Sequence, residues 1–326
     1  MARLKTLLLA LLGLGLLALG AAAGFWFAFV PRSYGPAEIA ARGQPDVKNG
    51  AYVFAMAGCA SCHAAKDAKQ GERLKLGGGQ ELATPFGTFR VPNISPDFDT
   101  GIGRWQIADI VNAVTRGTAP DGSPFYPAFP YVSYSRLKLA DAVDLAAYLK
   151  TLPAVSNRVG AHALAFPFNL RLGLFGWKLL YFNHFSAPPQ IAALPVAATD
   201  AIARGRYIVE GPGHCGECHT PRWPLGGPNL ARWLAGAPAL EGKGRVPDIT
   251  PHARALGPWS ADDIAYYLDS GLTPDGDSVG GAMGEVVANL SQLTKDDRQA
   301  IGAYLKAIPA IPPPPKPADP PAPGGS

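Results

Sequence analysis

The residues best placed to do chemistry are two copies of one pattern, Cys59-Ala60-Ser61-Cys62-His63 and Cys215-Gly216-Glu217-Cys218-His219, which hold all four cysteines of the 326-residue chain. Two thiols separated by two residues stand about one helical turn apart, so both can reach one edge of a flat macrocycle, with the following histidine beneath its centre. This is the attachment signature of a c-type haem, in which the thiols form thioethers and the imidazole ligates iron. Structural zinc also takes paired Cys-x-x-Cys, but its second pair would follow within about 15 to 20 residues. Here the second pair begins only at Cys215, far beyond Cys62. A thioredoxin-like redox pair would need a βαβ setting that the pattern lacks. The reading is two covalently bound haem c groups, attached at Cys59, Cys62, Cys215 and Cys218, with His63 and His219 as iron ligands.

Something must hold each motif in place, and the chain supplies the same frame twice. Asn49-Gly50-Ala51-Tyr52-Val53 before the first motif answers Arg204-Gly205-Arg206-Tyr207-Ile208 before the second, an offset of 155 residues. After the motifs, Val91-Pro92-Asn93-Ile94-Ser95-Pro96 answers Val246-Pro247-Asp248-Ile249-Thr250-Pro251, and Gly103-Arg104-Trp105 answers Gly257-Pro258-Trp259. Asp109-Ile110 then matches Asp263-Ile264, Pro120-Asp121-Gly122 matches Pro274-Asp275-Gly276, and each half closes on Ala-Tyr-Leu-Lys before Pro153 or Pro309. Landmarks repeated in one order mark two folded units. In the first, apolar spacing predicts a helix through Tyr52 and Phe54 into the motif, a second over 107–115 and a third over 140–152, stopped by Pro153. The Gly-, Pro- and Asn-rich stretches between them read as loops around a core that a haem would fill. The expected fold class is all-α, with units at 37–155 and 199–310, a connector at 156–198, a membrane segment at 1–36 and a Pro-rich, disordered tail at 311–326.

Arg3 and Lys5 precede an apolar stretch at residues 7–30. At 1.5 Å per residue such a helix crosses a hydrocarbon core about 30 Å thick. A cleaved signal peptide, cut near Ala21-Ala22-Ala23, is the alternative, but it would leave Phe25-Trp26-Phe27 as an apolar end. A retained, single-pass anchor is the expectation. Positive residues before the span put the haem units outside, in a bacterium on the periplasmic face of the inner membrane. The apolar block at 166–185 is interrupted by Pro167, Arg171 and Lys178 and is expected to pack against the two units rather than to span. A net charge of +4 without runs of Lys and Arg among aromatics argues against a nucleic-acid partner.

Over residues 49–309 the two motifs, the Val-Pro-Asn/Asp-Ile-Ser/Thr-Pro loop, the Gly-x-Trp turn and the Pro-Asp-Gly step are similar to those of the cytochrome c subunits beside periplasmic membrane-bound dehydrogenases, such as alcohol and gluconate dehydrogenases. The resemblance implies tandem class I cytochrome c domains, although members often carry three haems and this chain has motifs for two. It implies redox partners: a dehydrogenase subunit, a quinol-oxidising complex or a terminal oxidase. It also implies a methionine downstream of each motif as sixth iron ligand. The methionines are Met1, Met56 and Met283, and Met283, seven residues after Gly276, stands at the family position. At the same offset from Gly122 the first unit has Phe129, which cannot ligate iron. Met56 lies one turn before Cys59, on the approach to the histidine side. The first iron is then either five-coordinate or ligated by His162, His184 or a tyrosine of the 126–134 loop.

Arg90, Arg104, Arg222 and Arg245 are candidates to pair with haem propionates, and Trp105, Trp259, Tyr148 and Tyr304 read as packing residues. No catalytic acid or base is evident, so the expected function is single-electron transfer rather than catalysis. The alternatives are a dihaem peroxidase or a gas or redox sensor that uses an open first haem.

Overall fold

The computed structural model describes residues 2–29, 33–182, 199–239 and 244–312. The tail from residue 313 and His184 lie outside the described residues. The apolar N-terminal stretch forms α1 (Ala2–Phe29), of which Arg3–Gly24 is long and apolar enough to cross a membrane and is not buried against the protein. A short α2 (Pro36–Ala40) follows.

The first half is framed by α3 (Val47–Met56), which leads into α4 (Cys59–His63), by α5 (Ile107–Arg116), a single turn α6 (Tyr131–Tyr134) and α7 (Leu139–Leu149). Asp46 caps α3 by accepting from the backbone of Lys48 and Asn49. Gln106 and Asp109 form a capping box at the start of α5, and Gly117, at φ 57°, ends it. After α8 (Gly173–Tyr181) the pattern recurs: α9 (Asp200–Glu210), α10 (Gly216–His219), α11 (Ala261–Ser270), α12 (Ala282–Leu290) and α13 (Lys295–Ala307). The three helices expected in the first half are present with ends shifted by a few residues.

The all-α expectation needs amendment, because small antiparallel sheets stiffen the loops. Strands β1 (Glu81–Thr84) and β2 (Gly87–Arg90) form a hairpin, and β3 (Ala163–Leu164), from the connector, pairs with Gly87 and Thr88. In the second half β4 (Ala237–Pro238) pairs with β5 (Arg245–Val246). Gly and Pro content marks turns but does not reveal that flanking segments pair.

In each half the helix before the motif crosses the closing helix at a glycine. A Cβ on Gly50 would overlap the Asp144 carbonyl and Tyr148, and one on Gly205 would overlap the Ala300 carbonyl and Tyr304. Two apolar cores form, one around Val53, Phe54, Val111, Leu145 and Ala146, the other around Ile208, Leu234, Ile264, Ile301 and Tyr304.

The halves also meet each other through exchanged contacts. Tyr52 donates to Asp297 at 2.6 Å, and its repeat counterpart Tyr207 donates to Asp141. Each aspartate is also held from its own half, Asp141 by Asn49 at 2.9 Å and Asp297 by Arg204 at 2.7 Å. The pairing is reciprocal, as across a two-fold axis. Helix α8 joins both halves: Lys178 donates to the carbonyls of Arg116 and Gly117, and Trp177 Nε1 to the Leu225 carbonyl.

Gly205→Ala is expected to destabilise the chain by about 1–3 kcal/mol, since backbone cannot yield as a side chain can. Tyr52→Phe should cost about 1–3 kcal/mol by losing the bond to Asp297 and the one accepted from the Thr294 N–H. Denaturant unfolding followed by circular dichroism ranks the two.

Candidate haem-binding sites

Each motif sits on one helical turn directly after a helix that crosses the closing helix. Helix α4 is entered through Gly58 at φ 62°, and α10 through His214 at φ 40°, a left-handed conformation uncommon for a residue with a side chain. Cys59 and Cys215 are half-buried, while Cys62 and Cys218 are exposed. Burial, with the neighbouring thiol of the motif adding to it, pushes Cys59 and Cys215 up to about 12. Both are therefore neutral thiols.

The surroundings of the two histidines leave each ring fit to ligate a metal. Burial pushes His63 down to about 4 and also lowers His219, so both are neutral imidazoles at pH 7. His63 Nδ1 lies 2.8 Å from the Pro92 carbonyl, and His219 Nδ1 lies 2.8 Å from the Pro247 carbonyl. A carbonyl only accepts, so Nδ1 carries the proton and the Nε2 lone pair is left for a metal. The Val-Pro-Asn/Asp loops that supply these carbonyls are built alike. Ile94 N–H donates to Leu76 O and Ile249 N–H to Leu234 O, while Gly78 and Gly236 donate to the carbonyls of His63 and His219. Asn93 and Asp248 each turn their loop by accepting from the backbone two residues on. Lys150 and Lys306 bind the carbonyls of the two Gly-x-Trp turns. Two thiols one turn apart and a neutral imidazole with its free lone pair fit a covalent haem and its iron in both halves.

Past the histidines the halves differ. Met283 is the second residue of α12 and packs, half-buried, on the second core. Phe129 packs on the first core, its ring 5.8 Å from Tyr134 and 6.4 Å from Tyr131. Met56 is buried, but in the second core, away from the first-half residues around Phe129. His162 accepts the Arg90 N–H at Nδ1, so its proton is on Nε2 and neither nitrogen offers a lone pair while that bond holds. Tyr134 is committed to the Ala57 carbonyl at 2.7 Å, and Tyr126 packs on Phe89 and His162. Tyr131 is wholly buried, its hydroxyl without a hydrogen-bond partner among the described residues.

Three of the arginines suggested for propionates are engaged elsewhere: Arg90 pairs with Glu81, Arg104 with Asp99 and Arg222 with Glu217. Trp105 and Trp259 pack on the two cores, and Tyr148 lies edge-on to Phe54 at 5.4 Å. Tyr304 also serves a polar role, donating to Glu210 at 2.7 Å.

Sequence reasoning missed the residues between the motifs. Gly58 and His214 are repeat counterparts, each directly before its first cysteine, and they face each other: a Cβ on Gly58 would stand 3.8 Å from His214 Cε1. The His214 ring lies 5.4 Å from that of Tyr134, and Asn289 donates to Ser61 inside the first motif at 2.7 Å. Glu217, inside the second motif, accepts from Ser133 and Arg222 at 2.6 and 2.5 Å. Burial alone would raise its carboxyl, but these donors hold it below the usual range. The two motifs therefore touch through their flanks.

Comparison with known proteins places this architecture. The cytochrome c family model matches residues 47–153. A dihaem cytochrome c-type protein of Cereibacter sphaeroides is 51% identical over 299 residues, covering 92% of this chain and 97% of that one. The cytochrome c subunit of the alcohol dehydrogenase (quinone) of Gluconacetobacter polyoxogenes is 38% identical over 82% of this chain. That of gluconate 2-dehydrogenase from Pantoea cypripedii is 34% identical over 80%. The chain spans just over half the length of these two subunits, 57% and 59%.

The chain is a helix-rich, c-type electron-transfer protein, not an enzyme. It belongs to the cytochrome c family, and its two motifs give it two covalently bound haem c groups. Met283→Ala is expected to abolish the weak thioether-to-iron absorption band of the oxidised protein, and persistence of the band would place the second iron's ligand elsewhere.

Proposed function

We propose that the chain is a membrane-anchored dihaem cytochrome c that carries single electrons between a membrane dehydrogenase or quinol-side donor and a downstream acceptor such as a terminal oxidase. In this reading α1 anchors it in the bacterial inner membrane and the haem domains, 37–155 and 199–310, lie in the periplasm. Cys59 and Cys62 hold the first haem with His63 as iron ligand. Cys215 and Cys218 would hold the second, with His219 and Met283 as its iron ligands. Each iron, when bound, supplies one-electron chemistry by alternating between ferric and ferrous states.

The observation that carries the proposal is the contact between the motifs at Gly58 and His214. Two separate carriers would need no such contact, whereas one relay does. The chain's residues hold each imidazole neutral and aimed, and keep the two attachment turns in fixed relation through the Tyr52–Asp297 and Tyr207–Asp141 bonds. The names of the dehydrogenase subunits support a dehydrogenase as donor. They favour electron transfer over a peroxidase or a sensor, and Phe129 offers no proton for peroxide cleavage.

The absence of a methionine at Phe129 sets the two irons apart. A thioether opposite an imidazole favours ferrous iron, so the first haem should have the lower potential. Carbon monoxide should bind one reduced haem of the two, and Phe129→Met should suppress that binding and raise the lower potential. Two low-spin haems without carbon monoxide uptake would show that another side chain ligates the first iron.

A further inference from the structure

Helix α8 has two faces of unusual kind. The inner one buries Leu174 and Lys178, with the Lys178 ammonium capping the carbonyls that end α5 at 2.8 and 2.7 Å and held down to about 8 by burial. The outer one is apolar. Leu172 is 80% exposed and Leu180 64%, and Phe166 and Leu170 lead into them. Trp223 and Leu225, exposed on the second half, join this surface through the Trp177–Leu225 bond. Arg171, between Leu170 and Leu172, turns back to donate to the Pro124 carbonyl at 2.7 Å. Lys178 thus points inward and Arg171 reaches back to the first half, while the large apolar groups point outward, the reverse of a solvent-facing helix.

The placement of this face identifies what covers it. Tyr34, just past α1, is bonded to Asn112 of α5 in both directions, at 2.8 and 2.9 Å, and the Arg116 guanidinium lies 4.4 Å over its ring. Lys178 binds the carbonyl of that same Arg116. Chain entry and α8 therefore converge on the last turn of α5. Four residues lie between Phe29 and Tyr34, a reach of at most about 18 Å over five steps of chain, so an α1 that crosses the bilayer holds the end of α5 near the lipid surface. Between Ala154 and Thr199 there is no Asp or Glu, and of the cations there Arg158 and Arg171 are exposed while Lys178 is buried. That bias suits an anionic headgroup layer.

We propose that the α8 segment lies in the membrane interface as a second, non-spanning contact beside α1. An apolar helix face of this size seats in the headgroup boundary without crossing it. Two contacts hold the haem-bearing halves in one orientation to the membrane, where a single anchor would leave them to swing. The inference rests on the proposed anchoring by α1.

The test uses the full, haem-loaded chain in bacterial membranes, with p-benzoylphenylalanine in place of Leu172 and, as a control, of Tyr266, exposed on α11 in the second half. On illumination, position 172 should form phospholipid adducts detectable by peptide mass, and position 266 should not. Cross-links from 172 only to another protein, or only within the chain, overturn the proposal, as does the absence of any lipid adduct while the chain resists carbonate extraction. Extraction by carbonate would overturn the anchor as well, which separates the two failures.

Discussion

One close crossing carries the rest of each half. The helix before the motif meets the closing helix backbone to backbone, at Gly50 in one half and Gly205 in the other. A contact without intervening side chains leaves little freedom in the angle between the helices, so the attachment turn that begins at Cys59, three residues after α3 ends, inherits a fixed place. The imidazole that ends the turn then meets the Pro92 or Pro247 carbonyl, which selects the tautomer able to ligate iron. The same crossing aims Tyr52 and Tyr207 outward, each at an aspartate on the other half's closing helix.

Contact between the halves is polar where it is specific. Asp297 accepts from both Tyr52 and Arg204. Burial would raise its carboxyl, but these donors prevail and hold it low. Glu210 accepts from Arg136 of the first half as well as from Arg206 and Tyr304 of its own. Such bonds add modest net stability, yet losing one partner strands a buried charge, so they tolerate a single register where an apolar contact would let the halves slide. A fixed register is what an electron relay requires.

Much of this was legible in the residues. The motifs, the repeat and the helices flanking each motif follow from local spacing, and the Met283/Phe129 asymmetry follows from aligning the repeat on itself. What escaped is long-range. Tyr52 and Tyr207 stood out as landmarks, but nothing local shows that each bonds the aspartate of the other half. His214 carries no local mark in the sequence, because its importance lies in a backbone turn and in facing Gly58. The β1–β2 hairpin hid in a stretch whose turn residues resemble those of an open loop. Charge alone makes Arg90, Arg104 and Arg222 candidates for propionates, but nearby carboxylates engage them: Glu81, Asp99 and Glu217.

The central claim is that the two attachment sites form one relay. Reducing the oxidised, full-length protein with a sub-stoichiometric flash of electrons and following both haems by absorbance tests it most directly. The account predicts that electrons entering at one haem redistribute to the other at a rate independent of protein concentration. A rate proportional to concentration would mean that electrons cross only between molecules, and would contradict it.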